Sequence, residues 1–233
     1  GRVALAWNLR MRAVAAVVLA RRAGCGSEHA LIRHIRATAL PARAASMASI
    51  DHPEDRAMTL PPLDLPAWLR HFRRNATRPP QVPWDDPYAL TDMEFHRIAH
   101  SIATFQLGEQ SEGQTLRELA RHFAARSDAA LLPAITTLFV QEEQRHAALL
   151  ARFMEQQGIP RLRRQWTDRV FRRLRRLGGF ELAITVLTTA EVLALRYYPA
   201  LRAATGSEVL RAICTRLLAD ERAHVHYESQ LLH

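Results

Sequence analysis

The chain has 233 residues, 48% of them hydrophobic, which is enough for one domain with a real core and spare length at the ends. All 32 basic residues are arginine and the formal charge is +9, but residues 1–50 hold eight arginines against the single acid Glu28, so +7 of that charge lies there. The rest is close to neutral, so no nucleic-acid partner is expected. Two distant cysteines, Cys25 and Cys214, exclude a disulfide scaffold and a cysteine-built zinc or iron site. No apolar run approaches the roughly 18–20 residues of a membrane span, and a cytoplasmic location is expected.

Residues 1–57 do not read as a domain. The apolar run after Met11-Arg12 is short, and Arg21-Arg22 follows where a signal peptide needs small residues. The arginine-rich, acid-poor composition also suits an organelle transit peptide. The expectation is a disordered or non-native N-terminal extension, with Met47 or Met58 as the natural start. Residues 58–90 read as a Pro-rich arm, since residues 53–87 hold eight of the twelve prolines. One short helix is expected within it, with Asp64 as cap, Pro66 in the first turn and Trp68, Leu69 and Phe72 on its apolar side.

Helix patterns fill the remainder, residues 91–233. Thr91 and Glu94 form a capping box that opens a helix expected over residues 91–126. On its apolar stripe Glu109 is central, among Ile98, Ile102, Phe105, Leu116, Ala120 and Phe123; Glu112 lies to one side, and His96 and His100 point away. Ser127-Asp128 is expected to break this helix and cap the next, over about residues 130–157. There Glu143 shares a face with Thr136, Phe139, Ala147, Leu150 and Met154, His146 sits one turn on, and Glu142 falls at the edge. Gly158-Ile159-Pro160 ends that helix.

Residues 161–176 carry eight arginines and one acid, and the spacing of Trp166, Val170, Phe171, Leu174 and Leu177 predicts a short amphipathic crossover helix with a solvated basic face. A third main helix, about residues 180–204, places Glu191 with Ile184, Leu187, Leu195 and Tyr198, and Pro199 predicts a kink. Ser207 caps a fourth, to about residue 232, where Glu221 faces inward with Leu210, Cys214, Leu217 and Glu228, and His224 lies to the side. A salt bridge near the helix end is expected for Glu228, and core packing for Tyr198, Tyr227 and Cys214.

Two Glu-x-x-His pairs, Glu143/His146 and Glu221/His224, thus stand on two helices, and buried acids on the other two. Short, long and short connections let the third helix run parallel to the second, so all these groups meet at one level. Four or five carboxylates in an apolar core need a counter-charge, and two divalent metal ions would supply it. Carboxylates with one imidazole per metal suit iron or manganese, including a mixed pair, better than a thiolate-type zinc site, although zinc is not excluded.

Over about residues 91–232 this pattern resembles the ferritin-like di-iron carboxylate superfamily. The resemblance implies an all-α, ferritin-like four-helix bundle with a long crossover between its second and third helices. It implies that Glu143 and Glu221 bridge two iron ions, that His146 and His224 each bind one, and that Glu109 and Glu191 are terminal ligands. Glu112 departs from the pattern. It could replace Glu109, supplement it, or act as a catalytic base beside the metals. The activity implied is dioxygen activation by an oxidase or oxygenase acting on a small-molecule or carrier-bound substrate. An external electron donor is then needed, because the chain has no flavin, nicotinamide or iron–sulfur motif. A homodimer is also implied. The alternatives are a ferroxidase or iron-handling protein, and a non-enzymatic, metal-stabilised interaction protein.

Overall fold

The computed structural model describes residues 62–110, 113–162 and 179–232, which form α-helices and their connections, with no strand among them. The expectations for residues 1–57, for Glu112 and for the crossover helix lie outside the described residues. So does the Pro-rich stretch before Pro62.

The elements in chain order are α1 (Leu65–Ala76), α2 (Asp92–Glu109), α3 (Gln114–Ala124), α4 (Leu132–Gln156), α5 (Phe180–Ala203) and α6 (Glu208–Leu231). Helix α1 starts as its sequence dictates. Asp64 accepts a hydrogen bond from the Ala67 N–H at 2.8 Å, and Pro66 occupies the first turn, where its missing donor costs nothing. Leu69 and Phe72 are its buried residues. The capping box at Thr91 and Glu94 opens α2. Ser207 caps α6, accepting from the Leu210 N–H at 3.3 Å. Helix α5 continues through Pro199.

Two boundaries differ from expectation. The single helix foreseen over residues 91–126 is two, because Gly113 takes a left-handed conformation with φ of 65°. A Cβ at this position would run into the Val140 side chain, so the close approach to α4 and the left-handed turn both demand glycine. As a result, Glu109 becomes the last residue of α2 instead of a mid-helix residue. Ser127-Asp128 does not cap α4; that helix begins after Leu131 with no side-chain cap, and Pro133 in its first turn makes one fewer N–H to satisfy.

Two apolar clusters make the core. One includes Ile98, Ile102, Leu150, Met154, Tyr198, Leu210 and Leu217; the other includes Phe72, Leu116, Ile135, Phe139, Ile184 and Tyr227. Along the chain, α2–α3 and α6 pass from the first cluster to the second, whereas α4 and α5 pass from the second to the first. Helices α4 and α5 therefore traverse the core in the same sense, which requires the long connection between them. On each path the switch between clusters falls at acidic or histidine residues. Each burying side chain contributes about 1.5–3 kcal/mol, so the apolar layers on either side hold a polar layer that could not hold itself.

Glu94 fastens the outer end. Its carboxylate accepts from the Gly206 N–H at 2.6 Å, the Thr91 N–H at 2.8 Å and the Tyr88 hydroxyl at 2.9 Å, tying the start of α2 to the α5–α6 turn. The Gly206 N–H is the main cause that holds this carboxyl down at about 2. A depressed carboxyl contributes stability above its unfolded pKa, and that stability is lost as the pH falls through the folded value. Glu94→Gln is expected to lower stability at pH 7 by about 1 kcal/mol, the usual worth of such a cap. In urea titrations the gap from the parent should close as the pH drops from about 4.5 towards 2; a gap independent of pH would contradict the assignment.

Candidate metal centre

At the polar layer, α2 supplies Glu109, α4 supplies Glu143 and His146, α5 supplies Glu191, and α6 supplies Glu221 and His224. Two groups of donors form. Glu109, Glu143, His146 and Glu221 each bring one ligand atom within 4.8 Å of the others, and so do Glu143, Glu191, Glu221 and His224. Glu143 and Glu221 belong to both groups. Each group thus has one histidine, one carboxylate of its own and two shared ones. All of these residues are buried: Glu221 and His224 are 0% exposed, while Glu109 and Glu143, at 9% exposed, are the edge of the cluster nearest solvent among the described residues.

Both imidazoles are oriented alike. His146 Nε2 lies 3.1 Å from Asp220 Oδ2 of α6, and His224 Nε2 lies 3.3 Å from Glu142 Oε2 of α4. Each ring therefore turns Nδ1 to the centre. His146 Nδ1 stands 3.5 Å from Glu143 and 3.4 Å from Glu221; His224 Nδ1 stands 3.2 Å from each of the same two carboxylates. A neutral ring that donates its Nε2–H outward keeps a lone pair on Nδ1, the form a metal ion requires.

Asp220 and Glu142 were not among the residues picked out from sequence. Glu142, placed at the edge by the helical count, is in fact almost fully buried, because α6 and α1 cover that side of α4. Its oxygens meet Arg145 at 3.0 Å and Arg216 at 3.7 Å, and Arg216 also meets Asp220 at 2.7 Å. The arginines are therefore not all turned away from the site; two of them hold its outer carboxylates. The signal was present: an acid directly precedes the glutamate of each Glu-x-x-His pair, and the two acids cross over, each serving the other pair's histidine.

Burial and the mutual repulsion of the carboxylates set the electrostatics of the donors. Burial, reinforced by Glu143 and Glu221, pushes the Glu109 carboxyl well above its ordinary range, and burial with the same two neighbours does this to Glu191. Both histidines are driven up despite burial, by Asp220 and Glu221 at His146 and by Glu142, Glu143 and Glu221 at His224. Against burial, His224, His146 and Arg145 hold Glu142 down at about 2. Glu143 Oε1, Glu221 Oε1 and His146 Nδ1 are buried with no hydrogen bond, and all three belong to the donor groups. Buried, converging donor atoms without a hydrogen bond are what a metal ion, displacing any protons, would satisfy. Four ionised carboxylates also carry four negative charges, which two divalent ions balance.

Tyr198, in the core as expected, donates from its hydroxyl to Glu109 Oε1 at 2.7 Å, and so fixes the carboxylate at the end of α2. Cys214 is a small buried core residue. Glu228 overturns its expectation. It forms no salt bridge among the described residues; it is 0% exposed, and neither oxygen is hydrogen-bonded. The hydroxyl of nearby Thr188 spends its hydrogen on the Ile184 carbonyl at 2.9 Å. Burial therefore raises the Glu228 carboxyl well above its ordinary range and favours its neutral form. Among the described residues no helix is long and apolar enough to cross a membrane. Comparison with protein-family models, curated proteins and solved structures returned no match.

A neutral, shape-filling role for Glu228 has a direct test. Glu228→Gln keeps the shape without an ionisable group and is expected to leave the thermal midpoint at pH 7 unchanged or raised. Glu228→Ala empties the volume and should cost about 2 kcal/mol. A Gln variant as unstable as the Ala variant would mean that the ionised form is the one the fold uses.

Proposed function

We propose that the protein is a ferritin-like di-iron carboxylate oxidase or oxygenase that activates dioxygen for reaction with an organic substrate. The observation that carries this reading is the pair of four-donor groups sharing Glu143 and Glu221, each with one inward Nδ1. Glu143 and Glu221 would lie between the two metals, with Glu109 and His146 on one and Glu191 and His224 on the other. Bound iron, or a mixed manganese–iron pair, would supply the one-electron redox chemistry that reduction of dioxygen needs.

The residues around the ions have separable tasks. Asp220 and Glu142 hold the two imidazoles in the tautomer and orientation that present Nδ1. Tyr198 holds Glu109 by one hydrogen bond. The apolar layers above and below exclude water, so that ligand charge is not dissipated in solvent. Glu109 and Glu143, at the slightly exposed edge, mark the side from which a small molecule can approach. The ferroxidase reading uses the same donors and differs in the substrate, which is then ferrous iron itself.

Three outcomes check the proposal. The parent chain should take up two irons, and Glu143→Ala with His146→Ala should lose at least one; two retained irons would refute the ligand assignment. Asp220→Asn or Glu142→Gln should keep the fold and weaken metal affinity by about 10–100-fold, as loss of an imidazole's outer partner does elsewhere; unaltered affinity would remove these acids from the site. On mixing the ferrous protein with dioxygen, oxidation should stop at about two irons per chain. Turnover of many irons with growth of a ferric core would replace oxygenase by ferroxidase.

A further inference from the structure

Helix α1 has two faces with opposite chemistry. Its inner face puts Phe72 against His224, with ring centroids 6.0 Å apart and planes 28° from parallel. His71 meets Phe72 edge-on at 5.3 Å, and Trp68 lies 5.3 Å from His71 and 6.0 Å from Phe72. Trp68 and His71 are half-buried, so a continuous run of rings leads from the surface to an imidazole of the candidate centre.

The outer face carries Arg70, Arg73 and Arg74, spaced so that they project together, with Arg78 just beyond. All four are exposed, the helix contains no acid, and among the described residues none of the four forms an ion pair. Arg145 and Arg216 differ, since their charge is engaged by Glu142 and Asp220. Like charges at this spacing work against the helix unless something of opposite sign faces them. The chain's own residues 1–61, nine arginines against four acids, are net positive and so do not as a whole supply it.

We propose that the outer face of α1 is the docking surface for an acidic, one-electron carrier protein, which delivers electrons through Trp68, His71 and Phe72 to the His224 side of the centre. The proposal rests on the di-iron reading above. In each encounter the carrier loses one electron and the centre gains one; two encounters take a pair of trivalent ions to divalent. A substrate-bearing acidic protein is the less fitting occupant. The edge of the cluster that nears solvent is at Glu109 and Glu143, whereas Glu221 and His224, the latter beneath α1, are fully enclosed. Electrons can cross a packed ring, and a substrate cannot.

The test uses the full chain and an acidic plant-type [2Fe–2S] ferredoxin as probe. Binding of oxidised ferredoxin to the metal-free protein, followed by calorimetry, should weaken with added salt. It should also fall about tenfold or more at low ionic strength in Arg70→Glu/Arg73→Glu/Arg74→Glu, with the melting temperature unchanged. With iron loaded, reduced ferredoxin should reduce the variant correspondingly more slowly, while reduced methyl viologen reduces both at one rate. Phe72→Leu should leave ferredoxin binding intact and slow the electron transfer. Unchanged ferredoxin binding in the triple variant, or equal affinity for an acidic acyl carrier protein with no redox group, would overturn the proposal. A chain that takes up no iron overturns the di-iron reading and the electron route with it; normal loading with unchanged ferredoxin binding overturns the docking surface alone.

Discussion

The fold is arranged around the burial of charge. Six ionisable donors sit at one level between two apolar clusters. An isolated carboxylate in such a place is strongly disfavoured, and several together repel one another as well. Two devices offset this. The carboxyls of Glu109 and Glu191 and both imidazoles are shifted towards their protonated forms, and an outer ring of Glu142, Asp220, Arg145 and Arg216 pairs charges at the border. Glu143 Oε1, Glu221 Oε1 and His146 Nδ1 nevertheless converge, buried, with no hydrogen bond. That arrangement is wasteful for stability alone and economical for binding a metal.

The pairing of the outer acids explains why two helices carry nearly the same motif. Glu142 precedes Glu143 on α4 and reaches His224 on α6; Asp220 precedes Glu221 on α6 and reaches His146 on α4. Each helix therefore supplies its own inward carboxylate and imidazole and the brace for its neighbour's imidazole. The exchange couples the rotation of α4 to that of α6. A turn of either helix about its axis would misplace one ligand pair and one brace together. This coupling suits a site whose donor atoms must stay converged within a few ångströms.

The sequence made the inward acids legible because helical periodicity is a strong signal over long segments. Glu109, Glu143, Glu191 and Glu221 all lie on apolar stripes, and the structure brings them together with His146 and His224. The misses have physical causes. A stripe count sorts residues about one axis into inside and outside, but α4 is enclosed by α1, α2, α3 and α6, so it buries much more than one stripe. Glu142, about 100° from Glu143, then faces a neighbouring helix instead of water. The break before α3 was hidden because one glycine in a helical pattern is tolerated; only the tertiary approach of Val140 makes Gly113 take a positive φ. For Glu228 the direction was right and the environment wrong. It is seven residues from Glu221 on the same stripe, and proximity to the chain's end suggested solvent that the second apolar cluster shuts out.

The two sides of the centre are unlike, and this asymmetry follows from local structure. On the α2 side the helix ends at Glu109, so one carboxylate is held by a helix terminus and the Tyr198 hydroxyl instead of by a continuing turn. On the α6 side every element continues through the layer, and Phe72 and Phe139 close over His224. The first side is thus the one that nears solvent; the second is closed over by aromatic rings. The proposed redox chemistry would need an approach and a dry wall at different places, since a path open to substrate is also open to water. Breaking one helix at Gly113 while adding α1 over the opposite histidine separates them.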